Sequence, residues 1–75
     1  MKPLTWDDAE AMGLALLAAH PEIDPLKIRL IDIHQWATEL LEFQDDPRAS
    51  HESKLEAIQM AWYEQWDEKQ GNWPA

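Results

Sequence analysis

The sequence predicts a mainly all-α fold class, a small domain of three helices. Apolar residues recur at helical spacing in three separate stretches, and capping residues or prolines bound these stretches. One further segment alternates like a strand, but no second segment of comparable quality is present to pair with it. We therefore expect helices over about residues 6–19, 32–43 and 51–69, a short extended link between the first two, and no substantial sheet.

The first helix is indicated by Thr5 and Asp8, which have the spacing of an N-terminal capping pair, and Pro21 ends it. Its apolar stripe includes Gly13, although glycine costs about 1 kcal/mol of helix propensity relative to alanine. Close approach to another helix or to an aromatic ring is the expected compensation. The full stripe is Ala9, Met12, Gly13, Leu16 and His20.

The link to the second helix begins at Asp24 and Pro25, an N-cap followed by proline at the first helical position. This pair predicts a single turn around Leu26 and Lys27. The alternating residues 27–31 follow and form the extended link.

The stretch 32–50 organises the chain. Asp32 and Gln35 have the spacing of N-cap and N3, so the central helix should start there. It cannot continue through Pro47, because the residue before a proline is pushed out of the α region. Ser50 then has the position of the next N-cap. The apolar face of the central helix consists of Ile33, Trp36, Ala37, Leu40 and Phe43.

The third helix presents an apolar stripe around Trp62, and Gly71 is its stop signal. We expect one domain over residues 1–69 and a frayed tail over residues 70–75. The predicted core is Leu16, Trp36, Leu40, Ile58 and Trp62.

Composition excludes several classes of function. The 75 residues suffice for one small domain, and five Trp suit a small core. The absence of cysteine excludes disulfides, thiolate nucleophiles and Cys-ligated clusters. With only two glycines there is no Gly-rich phosphate loop, and helix capping explains Ser50 better than a nucleophile does. We expect a non-enzymatic, cytoplasmic protein without a signal peptide or membrane helix.

Metal binding through histidine on a single helix is also unfavourable. No carboxylate lies three or four residues from His34 or His51, and Pro21 separates His20 from Asp24. Any metal site must therefore be all-carboxylate or assembled across elements. We expect His34 to cap, pack or hydrogen-bond at the edge of the core.

The charge favours basic partners. Fifteen Asp and Glu against six Lys and Arg give a formal charge of −9, which repels nucleic acid and anionic membranes. Solubility alone is the plainer interpretation. The densest acidic surface belongs to the central helix and its following turn, where the end of the helix dipole disfavours negative charge. Its residues are Asp32, Glu39, Glu42, Asp45 and Asp46.

These residues also carry a resemblance to the IscX family, from about Leu4 to Trp66. Its most specific part is an acidic D-x-H-Q-W helix start followed by D-D-P-x-A-S. The matching positions are Trp6, Asp8, Gly13, the segment 21–25, Asp32 to Trp36, Phe43, Asp45 to Ser50, Leu55 to Ile58, and Trp62.

The resemblance implies an acidic, modified winged-helix-like accessory protein of bacterial iron–sulphur cluster assembly. Such a protein binds the cysteine desulfurase of the pathway, competes there with frataxin, and modulates cluster formation as a monomer. It binds Fe²⁺ or Fe³⁺ weakly and holds no cluster of its own. We assign the partner-binding role to the acidic surface described above. The weak iron ligands are expected to be Asp45, Asp46 and Glu42.

Two rival functions follow from other readings of the same features. Winged-helix folds often bind DNA through a basic helix, but the acidic helices here oppose contact with phosphates. A different alternative stays open at this stage: an acidic interaction module, or a DNA mimic that blocks a basic nucleic-acid-binding surface. The partner retained from a cell lysate would discriminate between these functions.

Overall fold

The computed structural model describes residues 3–70, and the three predicted helices are present there. Helix α1 spans Ala9–Ala19, α2 spans Leu30–Glu39 and α3 spans Glu52–Lys69. Single 3₁₀ turns occupy Pro25–Lys27, as predicted, and Pro47–Ala49, which was not predicted.

The described residues contain no strand. One isolated parallel bridge joins Leu4 and Phe43. The helical prediction without a sheet is therefore confirmed for this part of the chain, while the winged-helix-like arrangement stays a prediction. The predicted stop at Gly71 and the tail that follows it lie outside the described residues. No helix within residues 3–70 is long and apolar enough to cross a membrane.

Helix α1 starts at Ala9, three residues later than predicted. Thr5 and Asp8 do interact, since the Thr5 N–H and Oγ1 both donate to Asp8 Oδ2 at 3.1 Å. They form a separate turn before the helix, however, which the Asp8 N–H closes by donating to the Thr5 carbonyl at 3.1 Å, and the Trp6 N–H donates to Asp45. Asp8 is consequently the N-cap, and its carbonyl accepts from the Met12 N–H.

The predicted start of the central helix at Asp32 was wrong by two residues. Arg29 is the N-cap of α2 and Asp32 is its N3 residue, whose carboxylate accepts from the Arg29 N–H at 3.1 Å. The extended link is correspondingly short, with extended backbone at Ile28 and Arg29.

The predicted end of the central helix at residue 43 was also wrong. Helix α2 ends at Glu39, and Leu40 is already extended. The Leu4 N–H donates to the Glu42 carbonyl at 2.8 Å, and the Gln44 N–H donates to the Leu4 carbonyl at 2.9 Å. These two main-chain bonds hold the segment extended beside the N-terminus, so the helix cannot continue through it.

Helix α3 agrees with its prediction except at the cap. The N-cap is His51, which makes no side-chain capping bond, rather than Ser50. Ser50 instead terminates the 3₁₀ turn Pro47–Ala49, which displaces the helix start by one residue.

The core lies mainly between α1 and α3, with α2 packed across them. Three predicted core residues, Leu16, Ile58 and Trp62, have no exposed surface. Trp36 and Leu40 pack against the core but are only half-buried. The remaining buried hydrophobic residues are Leu4, Trp6, Met12, Leu17, Ile33, Ala37 and Leu55.

Gly13 confirms the predicted close approach between helices. A Cβ atom added there would lie 2.8 Å from the Trp62 backbone nitrogen and 3.1 Å from the Ala61 carbonyl carbon. Both atoms belong to the backbone of α3, so no side-chain rotation can relieve the contact. The helices α1 and α3 therefore pack at a distance that only glycine allows.

Gly13→Ala is expected to destabilise the fold by about 1–3 kcal/mol, because α1 and α3 must separate. This loss occurs although alanine is favoured in a helix by about 1 kcal/mol. Urea unfolding followed by circular dichroism measures the difference. Stabilisation of the variant by about 1 kcal/mol, as at an ordinary helix position, would contradict the close packing.

Candidate functional site

The acidic turn, defined here as residues 42–46, is built onto the N-terminal segment. The two main-chain bonds from Leu4 to Glu42 and Gln44 begin this pairing. Trp6 continues it, since its backbone N–H donates to Asp45 Oδ2 at 3.1 Å. The site therefore depends on N-terminal residues that lie 39 and 40 positions earlier in the sequence, which no local pattern reveals.

Trp6 is the principal anchor of this turn. Its indole Nε1–H donates to the Asp46 carbonyl at 2.8 Å, and its side chain is only 1% exposed. The ring contacts Phe43 edge-on, with centroids 4.9 Å apart, and stacks on His34 at 5.2 Å. Trp6 is therefore a core residue, and its two bonds to the acidic turn were not predicted.

His34 lies at the edge of the core, as predicted. Its Nε2 is 2.6 Å from the Pro47 carbonyl oxygen. A carbonyl can only accept, so Nε2 carries the hydrogen in this contact. The interaction holds the chain just after the acidic turn and leaves Nε2 unable to ligate a metal at the same time.

Asp45 and Asp46 use their carboxylates to shape the turn. Asp45 Oδ1 accepts from the Asp46 N–H at 2.7 Å, and Asp46 Oδ1 accepts from the Arg48 N–H at 2.9 Å. Asp46 is thus the N-cap of the 3₁₀ turn Pro47–Ala49. The expectation that both residues follow directly on a helix C-terminus was wrong, because α2 ends at Glu39.

These contacts favour the ionised form of Asp45. The Trp6 amide, followed by the Asp46 amide, holds the pKa of this carboxyl below its ordinary value of 3.8, and the charge of Lys54 acts in the same direction. Burial acts in the opposite direction and raises the pKa, but its influence is smaller than that of either amide. Lys54 is itself held close by an ion pair to Asp7, with Nζ 2.9 Å from Oδ1.

The lowered pKa of Asp45 predicts acid sensitivity of the turn. A carboxyl whose pKa is lower in the folded state contributes stability above its ordinary pKa and loses it as pH falls through the folded pKa. We expect carboxyl NMR titration to place Asp45 below the value of the same residue in a short peptide. The contact with the Trp6 amide should weaken over the same pH range. Titration at the ordinary value of 3.8 would contradict this assignment.

The structure places the predicted acidic residues at two locations. Glu39 and Glu42 line one groove, and Asp45 and Asp46 follow directly along the chain. Asp32 lies at the other end of α2, about 10 Å away along the helix axis from Glu39. There its carboxylate accepts from the Arg29 N–H and also forms an ion pair with Arg29, with Oδ2 3.7 Å from Nε.

The acidic turn has the right type of ligand atom for iron, but its ligands are not arranged around a metal position. Carboxylate oxygens are suitable ligands for a hard cation. Yet no three His, Asp or Glu side chains converge on a possible metal position anywhere in residues 3–70. Both Asp45 oxygens already accept from backbone amides. The turn therefore lacks a preformed coordination site, and its ligands also serve to hold the backbone.

Comparison with known proteins places the chain in a family. The family model described as iron–sulphur cluster assembly matches residues 4–67. A protein of Pseudomonas aeruginosa, described only as uncharacterized, is 44% identical over 64 residues, which cover 85% of this chain and 97% of that protein. The family match over residues 4–67 includes both the N-terminal segment that anchors the acidic turn and the turn itself. The chain therefore belongs to the IscX family of iron–sulphur cluster assembly proteins.

Proposed function

We propose that this protein is a non-catalytic accessory of iron–sulphur cluster assembly that binds the cysteine desulfurase through its acidic surface. Binding there competes with frataxin and so modulates cluster formation. Family membership supports the role in cluster assembly. The observation that carries the proposed contact is the pair Glu39 and Glu42, two carboxylates on one open groove next to the acidic turn.

These two glutamates are available to a partner. Neither forms an ion pair within residues 3–70, and Glu39 makes only a long contact of 3.4 Å with Gln35. Arg side chains on a partner can form charge-assisted, sometimes bidentate, bonds to such carboxylates. Asp45 and Asp46 add charge beside them, but their oxygens are partly used within the turn. Glu39 and Glu42 are therefore the better residues to change, because reversing them breaks no capping bond.

Glu39→Lys/Glu42→Lys is expected to weaken binding to the purified desulfurase by about tenfold or more, equivalent to about 1.4 kcal/mol. The matched control is Glu56→Lys/Glu64→Lys, which reverses two exposed charges of α3 and changes the net charge equally. Titration calorimetry at two salt concentrations measures both variants. Wild-type binding should also weaken with salt, because the Debye length falls from about 10 Å at about 0.1 M to about 3 Å at about 1 M.

Three results would contradict the proposal. The first is no binding of the wild type to the desulfurase at low salt. The second is equal weakening by the test and control pairs, which would mean that only net charge matters. The third is simultaneous binding of this protein and frataxin to the same desulfurase subunit, which would exclude competition.

We also propose weak, labile iron binding at Glu42, Asp45 and Asp46, with iron as cargo rather than as a resident cofactor. Carboxylate density in the turn supports this assignment, and the absence of converging ligands in residues 3–70 favours weak over tight binding. Paramagnetic line broadening on addition of Fe²⁺ should centre on the acidic turn. Broadening centred on His34, with the turn unaffected, would contradict it. Asp45→Asn/Asp46→Asn should abolish the effect, while Glu56→Gln/Glu64→Gln should not.

A further inference from the structure

Leu41 is the most exposed large hydrophobic residue within residues 3–70. Its side chain is 96% exposed, whereas the next most exposed, Ile31, reaches 66%. Leu41 lies in the tight turn between the end of α2 and the acidic turn. A single exposed leucine is ordinary on a protein surface, so its surroundings decide whether it has a role.

The surroundings of Leu41 form a shallow groove, called here the alanine groove. One wall comes from α1 and the other from the end of α2 and the turn that follows it. No basic residue contributes to its lining. The lining residues are Ala15, Ala18, Ala19, Glu39, Leu40, Leu41 and Glu42.

The groove combines two kinds of contact in one place. Ala18 and Ala19 are exposed and small, so a partner's side chain can approach the surface of α1 closely. Glu39 and Glu42 flank Leu41 in sequence and provide negative charge at the same wall. Apolar surface surrounded by charged residues is the usual composition of a protein-binding patch.

We infer that the alanine groove docks a protein segment that places an apolar side chain between Arg or Lys residues. The apolar side chain packs on Leu41 and the α1 alanines, and the cations bind Glu39 and Glu42. A second copy of this chain is a poor occupant, because it brings the same carboxylates and a net charge of −9. This inference rests on the proposed function, in which the desulfurase supplies the segment.

An apolar contact changes the salt dependence of binding. Salt screens the bonds to Glu39 and Glu42 but does not weaken the burial of apolar surface. The complex should therefore retain measurable affinity at high salt, and that remaining affinity should depend on Leu41. A purely electrostatic surface would lose its affinity under the same conditions.

The test compares Leu41→Gln with Leu26→Gln in binding to the purified desulfurase at low and high salt. Both leucines are exposed, Leu26 at 51%, and Leu26 lies outside the groove. Leu41→Gln should weaken binding about tenfold at both salt concentrations, the loss typical of one important interface residue. Leu26→Gln should bind like the wild type. The folded state is expected to tolerate both changes, which unfolding curves verify.

The outcomes separate this inference from the proposed function. Failure of the wild type to bind the desulfurase contradicts the proposed function and this inference with it. Wild-type binding that is unchanged by Leu41→Gln contradicts the inference alone. A dimer seen by sedimentation and lost in Leu41→Gln would assign the groove to a second copy. Altered Leu41 methyl shifts on deletion of residues 71–75 would assign it to the tail, and either result overturns the inference.

Discussion

Replacing Trp62 with alanine is expected to lower the free energy of unfolding by about 3–5 kcal/mol, close to the entire stability of a domain of this size. Trp62 has no exposed surface, and its backbone nitrogen lies at the close contact between α3 and Gly13 of α1. Its ring contacts Trp36 edge-on, with centroids 6.2 Å apart, and lies 6.5 Å from the ring of His20. The substitution thus opens a cavity where all three helices meet.

Thermal and urea unfolding measure this loss, and two variants calibrate it. Trp66→Ala removes the same side chain from a half-buried position and should cost less. Trp62→Phe should also cost less than Trp62→Ala, because it retains most of the ring. It loses no hydrogen bond either, since the buried Trp62 Nε1 has no partner within the described residues. A decrease of only a few degrees in the melting temperature of Trp62→Ala would exclude Trp62 from the core.

The sequence predicted the three helices and much of their packing because the apolar periodicity is a local property. Leu16, Ile58 and Trp62 were assigned correctly for that reason. The close packing at Gly13 could also be predicted, since the loss of helix propensity at a glycine requires compensation from a neighbouring element. Such features depend on residues a few positions apart, which the sequence displays directly.

The helix boundaries were less predictable because contacts distant in sequence determine them. Leu4 pairs with residues 42–44 and shortens α2, and the Trp6 N–H, just before α1, donates to Asp45. Asp32 was predicted as an N-cap but lies at N3. Asp is favoured at both positions, so the residue type alone does not distinguish them. No periodic signal in the sequence indicates that an N-terminal segment will pair with a turn about 40 residues away.

The density of acidic residues is visible in the sequence, but the contacts that hold them are not, and their role in partner binding stays a prediction. The five carboxylates could be identified from their density, whereas their division between two locations requires the fold. Asp45 and Asp46 hold the backbone of the turn, while Glu39 and Glu42 remain open to a partner. Leu41, beside them, is 96% exposed, so burial in the core does not explain a leucine at this position. Only the fold shows that Leu41 lines one groove with alanines of α1.

Trp6→Ala is expected to have the second large effect. It should lower the free energy of unfolding by about 3–5 kcal/mol and also release the acidic turn. The side chain is fully enclosed by the core, and its indole bonds to the Asp46 carbonyl at 2.8 Å. Removing it opens a cavity and also deprives the turn of its anchor. We expect faster hydrogen exchange at the Gln44 amide and a pKa of Asp45 closer to its ordinary value.

Trp6→Phe separates the packing role of Trp6 from its role as an anchor. Phenylalanine fills most of the cavity but cannot donate to Asp46, and one such bond contributes about 0.5–1.5 kcal/mol. Trp62→Phe is the matched control, because the indole of Trp62 has no bond to lose among the described residues. Amide exchange near Asp46 should therefore accelerate in Trp6→Phe and stay unchanged in Trp62→Phe at equal stability. If exchange in both variants follows global stability alone, the indole bond does not hold the turn, and the acidic surface is maintained by its own capping bonds.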